Sequence, residues 1–169
     1  AVTGKPDAQA MLETLERANL FLVPLDAERT WYRYHSLWAE MLQVRLQREQ
    51  PQHVAIIHRR AAAWLAQHDR REAAIQHALA AGDYDLAADF IAATARTLVL
   101  RGGGATLQAW LKHLPREMIA ARPTLLIEQA WALVLDGRLD EVEEVLSELE
   151  SRELTDVLRG EVAAIRAIV

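Results

Sequence analysis

The sequence predicts a mostly α-helical fold with one short β-hairpin near its start. Three observations carry this. Two extended apolar or aromatic runs, Leu20-Phe21-Leu22-Val23-Pro24-Leu25 and Trp31-Tyr32-Arg33-Tyr34, flank the polar loop Asp26-Ala27-Glu28-Arg29. From His35 the apolar positions Leu37, Trp38, Met41, Leu42 and Leu46 recur at three and four, the period of one buried helical face. Beyond Pro51 the chain is a succession of alanine-rich amphipathic stretches broken by short polar or glycine turns, the pattern of helix pairs stacked as a solenoid.

Taken in order, Ala8–Ala18 reads as a helix with Met11, Leu12 and Leu15 on one face, and Asn19 as its stop. Pro24 cannot donate to a ladder, so the first strand is short or at an edge. A helix over Tyr34–Gln50 ends with Arg45 and Arg48, where cations suit the negative end of the dipole. The order helix, strand, strand, helix is the C-terminal part of a winged-helix domain, assigned to residues 1–50. Residues 51–169 read as a TPR-like helical-repeat region. Its helices are expected at Val54–Gln67, Arg71–Ala81, Tyr84–Leu100, Thr106–His113, near Met118, at Leu125–Leu135 and Leu139–Leu149, and from Glu153 onward. Gly82-Asp83-Tyr84-Asp85-Leu86-Ala87 and Gly137-Arg138-Leu139-Asp140-Glu141-Val142 share a helix-stop glycine and an inward apolar position. Ala63-Trp64 and Ala130-Trp131 read as equivalent positions of two first helices.

Composition narrows the function classes. Half the residues are apolar, enough for a sizeable core, and the net charge of −5 argues against non-specific nucleic-acid binding. The absence of Cys removes thiolate catalysis and Cys-ligated zinc, and fits a reducing cytoplasm. No apolar run approaches a membrane span, and Ala1-Val2-Thr3-Gly4-Lys5 does not read as a signal peptide. The chain starts without Met and stops within an apolar-periodic stretch, so we expect a fragment of a longer polypeptide.

No catalytic constellation is legible. Gly102-Gly103-Gly104 follows a helix rather than a strand and lacks a Lys-Ser/Thr ending, so it reads as a C-cap and flexible joint, not a phosphate cradle. Among the six histidines, His53 and His58 are five apart and His68 and His77 nine apart, without the i, i+4 spacing of a helical metal site. Glu141, Glu143, Glu144, Glu148 and Glu150 read as a solvated acidic face. His35 differs by position. At a strand-to-helix junction, beside free backbone N–H groups, its imidazole can donate to a phosphate oxygen; equally, it can cap the helix or pack under the wing. Trp110, Gln129 and Trp131 are candidates for a ligand or partner surface, with core packing the alternative for both tryptophans.

A family resemblance enters here. Trp31-Tyr32-Arg33-Tyr34-His35-Ser36-Leu37-Trp38-Ala39-Glu40-Met41-Leu42 resembles a motif of the MalT-like regulators, the large ATP-dependent branch of LuxR-type bacterial transcription activators. The similarity continues through His58-Arg59-Arg60-Ala61-Ala62-Ala63-Trp64 and Glu72-Ala73-Ala74-Ile75-Gln76-His77-Ala78-Leu79-Ala80-Ala81-Gly82-Asp83. It also takes in Leu107-x-x-Trp110-Leu111-x-x-Leu114-Pro115 and Arg122-Pro123-x-Leu125.

The resemblance implies a cytoplasmic regulatory fragment of a signal-transduction ATPase with numerous domains. A nucleotide-binding domain would precede the winged helix, and a LuxR-type helix-turn-helix would close the chain. His35 matches the family histidine that touches the phosphates of bound ADP in the resting monomer. ADP or ATP with Mg belongs to the full-length protein, since this chain has no phosphate loop. Implied partners are the upstream nucleotide-binding domain, an inducer or inhibitor protein at the repeats, and further copies on activation. No contact of this segment with nucleic acid or membrane is implied. The rival reading is a free-standing helical-repeat adaptor that never meets nucleotide.

Overall fold

The computed structural model describes residues 7–169, and the Ala1–Lys5 stretch lies outside them. Among the described residues the chain forms ten helices and one two-stranded antiparallel hairpin. Helix α1 (Ala8–Arg17) stops where predicted: Asn19 takes φ +52° and Leu20 N–H donates back to Leu15 O at 3.1 Å. Strands β1 (Leu22–Pro24) and β2 (Tyr32–Tyr34) pair with Leu22 opposite Tyr34 and Pro24 opposite Tyr32. Helix α2 (Ser36–Glu49) follows directly, and α3 (Pro51–Gln67) opens on a proline whose missing N–H costs nothing in a first turn.

The repeat part is α4 (Arg71–Ala80), α5 (Tyr84–Leu100), α6 (Gly104–Leu111), α7 (Arg116–Ala120), α8 (Pro123–Leu135), α9 (Leu139–Glu150) and α10 (Asp156–Arg166). Glycines end α4 and α8 alike. Gly82 and Gly137 take φ +67° and +70°, and the next residue donates to the carbonyl five back, Asp83 to Ala78 and Arg138 to Leu133. The positions matched by the internal similarity, Ala87 and Val142, are both fully buried. The other pair matches less well: Ala130 is buried and Ala63 exposed, while Trp64 and Trp131 are both half-buried. The last helix begins at Asp156, capped by Thr155, later than the expected Glu153.

Two apolar clusters form the core and meet at α8. Leu125 and Ala132 face the cluster built by α3 to α6, while Leu126, Ile127, Ala130 and Leu133 face α9 and α10. A helix apolar nearly all round belongs in the interior. Ala74, Ala78, Ala87, Ala88 and Ala95 are all fully buried, and these small side chains set the close approach of α4 and α5.

Two expectations are corrected. The face of α2 is only half covered: Trp38, Leu42 and Leu46 are half-buried, whereas Leu37 is 72 % and Met41 45 % exposed, and no residue of α2 is fully covered among the described residues. The triple glycine is a tight corner rather than a flexible joint. Gly102 takes φ +79°, Gly103 N–H donates to Leu98 O at 2.9 Å, and a Cβ on Gly103 would meet Leu98 Cδ1 at 2.3 Å. Gly104 is buried against Ala132.

Candidate functional site

The hairpin places His35 at the N-cap of α2, with φ −55° and ψ 139°. Its backbone is committed on both sides: the N–H donates to Phe21 O at 2.7 Å, and the carbonyl accepts from Ala39 N–H at 2.9 Å. The imidazole is exposed and makes no capping hydrogen bond. It therefore neither caps α2 nor packs beneath the wing. The first-turn N–H groups of α2 are left without a side-chain cap beside it. A free imidazole and open helical N–H groups suit one phosphate contact, and nothing here encloses a whole nucleotide.

The hairpin loop is held from within. Asp26 accepts Thr30 N–H and Trp31 N–H, both at 2.9 Å, and the Thr30 hydroxyl. These bonds, the hydroxyl first, hold its carboxyl below the usual range. The loop is also tied to α1: Gln9 Nε2 donates to Arg29 O at 2.6 Å, and Arg29 pairs with Glu16 at 3.4 Å.

The other predicted residues are not brought together. Trp110 is buried in the first core cluster. Trp131 is half-buried and donates its indole N–H to Glu161 Oε2 at 2.7 Å. Gln129 lines a separate small groove with Ile119, Leu126 and Val145. The acidic face of α9 is largely matched by arginines, with Arg138 on Glu141, Arg152 on Glu148, and Arg166 on both Glu143 and Glu150. Arg166 holds the Glu143 carboxyl below its usual range.

Two arrangements escaped sequence reasoning. His58 of α3 and His77 of α4 approach with Nδ1 to Nδ1 at 2.9 Å, so at most one proton sits between them. Burial, then the neighbouring His58, holds His77 below the usual histidine range. The nineteen-residue separation hid the pair, because only a helical hairpin of this length makes it adjacent. Among the described residues no three His, Cys, Asp or Glu side chains gather as a metal site needs. The second is an aromatic joint between hairpin and repeats. Trp31 meets Trp64 edge-on at 5.8 Å, His68 stacks on Trp64 at 3.9 Å, and the Arg70 guanidinium lies 4.6 Å from the centre of the Trp31 ring.

The architecture is a winged-helix end continued by helical repeats. Residues 1–54 match the family described as the MalT winged helix domain. Over 99% of its length the chain is 39% identical to the HTH-type transcriptional regulator MalT of Cronobacter sakazakii, covering 19% of that protein. It is 36% identical over 99% of its length to MalT of Klebsiella pneumoniae. It is also 35% identical to the serine/threonine-protein kinase PknK of Mycobacterium tuberculosis, over 99% of this chain and 16% of the kinase. No solved structure matches. Residues 1–54 thus resemble the MalT winged helix domain, and the chain as a whole is similar to MalT regulators and to PknK alike while spanning less than a fifth of the curated relatives it matches. No helix among the described residues is long and apolar enough to cross a membrane.

Proposed function

We propose that this chain is the central relay of a cytoplasmic LuxR-type transcription activator. It couples effector or partner binding at the helical repeats to an ADP/ATP switch in an upstream nucleotide-binding domain. The observation that carries this reading is the free imidazole of His35 beside the open N-terminus of α2, in a segment similar to MalT throughout. The exposed apolar residues Phe21, Val23, Leu37, Met41 and Val44 around the same junction support a docked domain on that side. Bound Mg-nucleotide would supply the charged phosphates of the switch. What this chain contributes is one hydrogen-bond donor and the helix that aims it, with no catalysis of its own.

The test is His35→Ala in the full-length protein. Loss of one hydrogen bond to a charged group costs about 1.5–3 kcal/mol, so ADP release should quicken by roughly 10- to 150-fold, with higher basal transcription. Unchanged ADP retention and unchanged transcription would sink the latch and favour a plain protein-binding adaptor. The similarity to PknK supports a second reading of the output alone, in which the same relay controls a kinase. Sequencing the flanking reading frame separates the two: a helix-turn-helix downstream marks the activator, a kinase domain the alternative.

A further inference from the structure

Most arginines of the described chain are matched to carboxylates, as in Arg59–Asp83, Arg96–Glu128, Arg122–Asp89 and Arg166–Glu150. Arg33, Arg48, Arg70, Arg71 and Arg101 form no such pair, and the last three line one open groove of about 730 Å³ between α4 and α5. Thr97 lines its wall, as does Thr94, whose hydroxyl donates to Phe90 O at 2.9 Å, and Asp69 and Glu72 are its two carboxylates, leaving a net positive lining. Arg71 donates to Ala93 O at 3.4 Å, a long bond that a charged acceptor would outcompete. The first turn of α4 has no side-chain cap and opens on the same groove. In a chain of net charge −5, unmatched cations gathered at one concave place are a specific feature.

Arg70 also faces the other way, over the ring of Trp31 in the winged-helix hairpin. Arg70 therefore borders both the groove and the hairpin joint, with its guanidinium resting on the Trp31 ring. A phosphate oxygen is a stronger partner for it than an aromatic face.

We propose that the α4–α5 groove binds a small phosphorylated ligand through Arg70, Arg71 and Arg101, and that the ligand reports to the winged-helix hairpin by drawing Arg70 off Trp31. Binding needs only this chain, whereas the reporting step rests on the relay reading above. An anion that recruits Arg70 releases the contact that braces Trp31 against Trp64. The hairpin carrying His35 then loses one of its attachments to the repeats. The signal travels through a single side chain with two competing partners.

The experiment titrates inorganic pyrophosphate into the 169-residue chain at constant ionic strength, following the indole N–H resonances of the tryptophans by NMR. The expected result is saturable binding that shifts the Trp31 and Trp64 signals and leaves Trp110 and Trp131 still. Arg101→Gln, which spares the Trp31 contact, should weaken binding at least tenfold with the resting spectrum unchanged. Arg70→Gln should weaken it and shift Trp31 before any ligand is added. Arg138→Gln, away from the groove, should change nothing. Absence of saturable binding, or equal weakening by Arg138→Gln, would overturn the site and mark adventitious ion attraction. Binding with a still Trp31 would overturn the reporting step. None of these outcomes depends on ADP release, so failure here and failure of the His35 latch are told apart.

Discussion

His77 owes its behaviour first to burial and then to a neighbour that primary sequence places far away. The half-buried imidazole shares the space between α3 and α4 with His58 at 2.9 Å, and its folded form favours the neutral ring. A histidine held below its unfolded value contributes stability that is complete above about 6.5 and is lost as pH falls through the depressed value. Urea midpoints should therefore drop between pH 7 and pH 5, and His77→Gln should flatten that slope. An identical acid slope in the variant would show that the pair does not govern it. At the same scale His35 was legible as a junction residue, because strand and helix signals meet there. Its freedom was not, since a capping and a free imidazole give the same sequence.

Single elements are governed by the fit of small residues. Gly103 lets α6 start within reach of the last turn of α5, and an added methyl would press on Leu98 Cδ1 and sit 3.0 Å from Leu98 O. Gly103→Ala should cost about 1–3 kcal/mol, the usual penalty of overpacking, relieved in part by rotation of Leu98. Gly160 is the opposite case, inside α10 with nothing within 4 Å of an added Cβ. Gly160→Ala should stabilise the chain by about 0.5–1 kcal/mol through helix propensity alone. Thermal melts of the two variants should move in opposite directions, and a shift of the same sign would contradict the packing described. Helix order, the glycine stops at Gly82 and Gly137 and the hairpin were all readable in advance, because caps, periodicity and turn chemistry are local. The triple glycine reads as slack because sequence shows permissiveness and hides the neighbour that demands it.

Across the whole molecule, one part-buried ion cluster centred on the buried Glu128 ties α5, α8 and α10 together. Arg96 pairs with Glu128 at 2.7 Å and with Glu161 at 2.8 Å, and Trp131 completes the cluster through Glu161. Burial pushes the Glu128 carboxyl up further than Arg96 pulls it down, while the Trp131 indole and then Arg96 hold Glu161 low. Glu128 accordingly opposes folding once ionised, and Glu161 supports folding above its unfolded value and loses that role as pH falls through the folded one. Glu128→Gln should cost under about 1 kcal/mol, because removing a buried charge offsets the lost pair. Arg96→Met should cost roughly 1–3 kcal/mol, since it leaves Glu128 buried without a counter-charge although Arg96 itself is half exposed. Equal losses in urea denaturation would refute this asymmetry.

What the sequence determined by itself is the helical class, the hairpin feeding α2, the repeat character beyond Pro51 and the likeness to MalT-like regulators. Each rests on periods and motifs a few residues long. Tertiary structure alone decided which charges are spent and which are left over. It matched the acidic face of α9 to arginines, joined His58 to His77, set Trp131 on Glu161 and left Arg70 between Trp31 and the groove. It also left the apolar face of α2 half open, with Leu37 and Met41 exposed, where periodicity alone predicts burial. The physical reason is common to all of these. Burial and pairing are properties of neighbours in space, and the chain brings those neighbours together only when its helices stack.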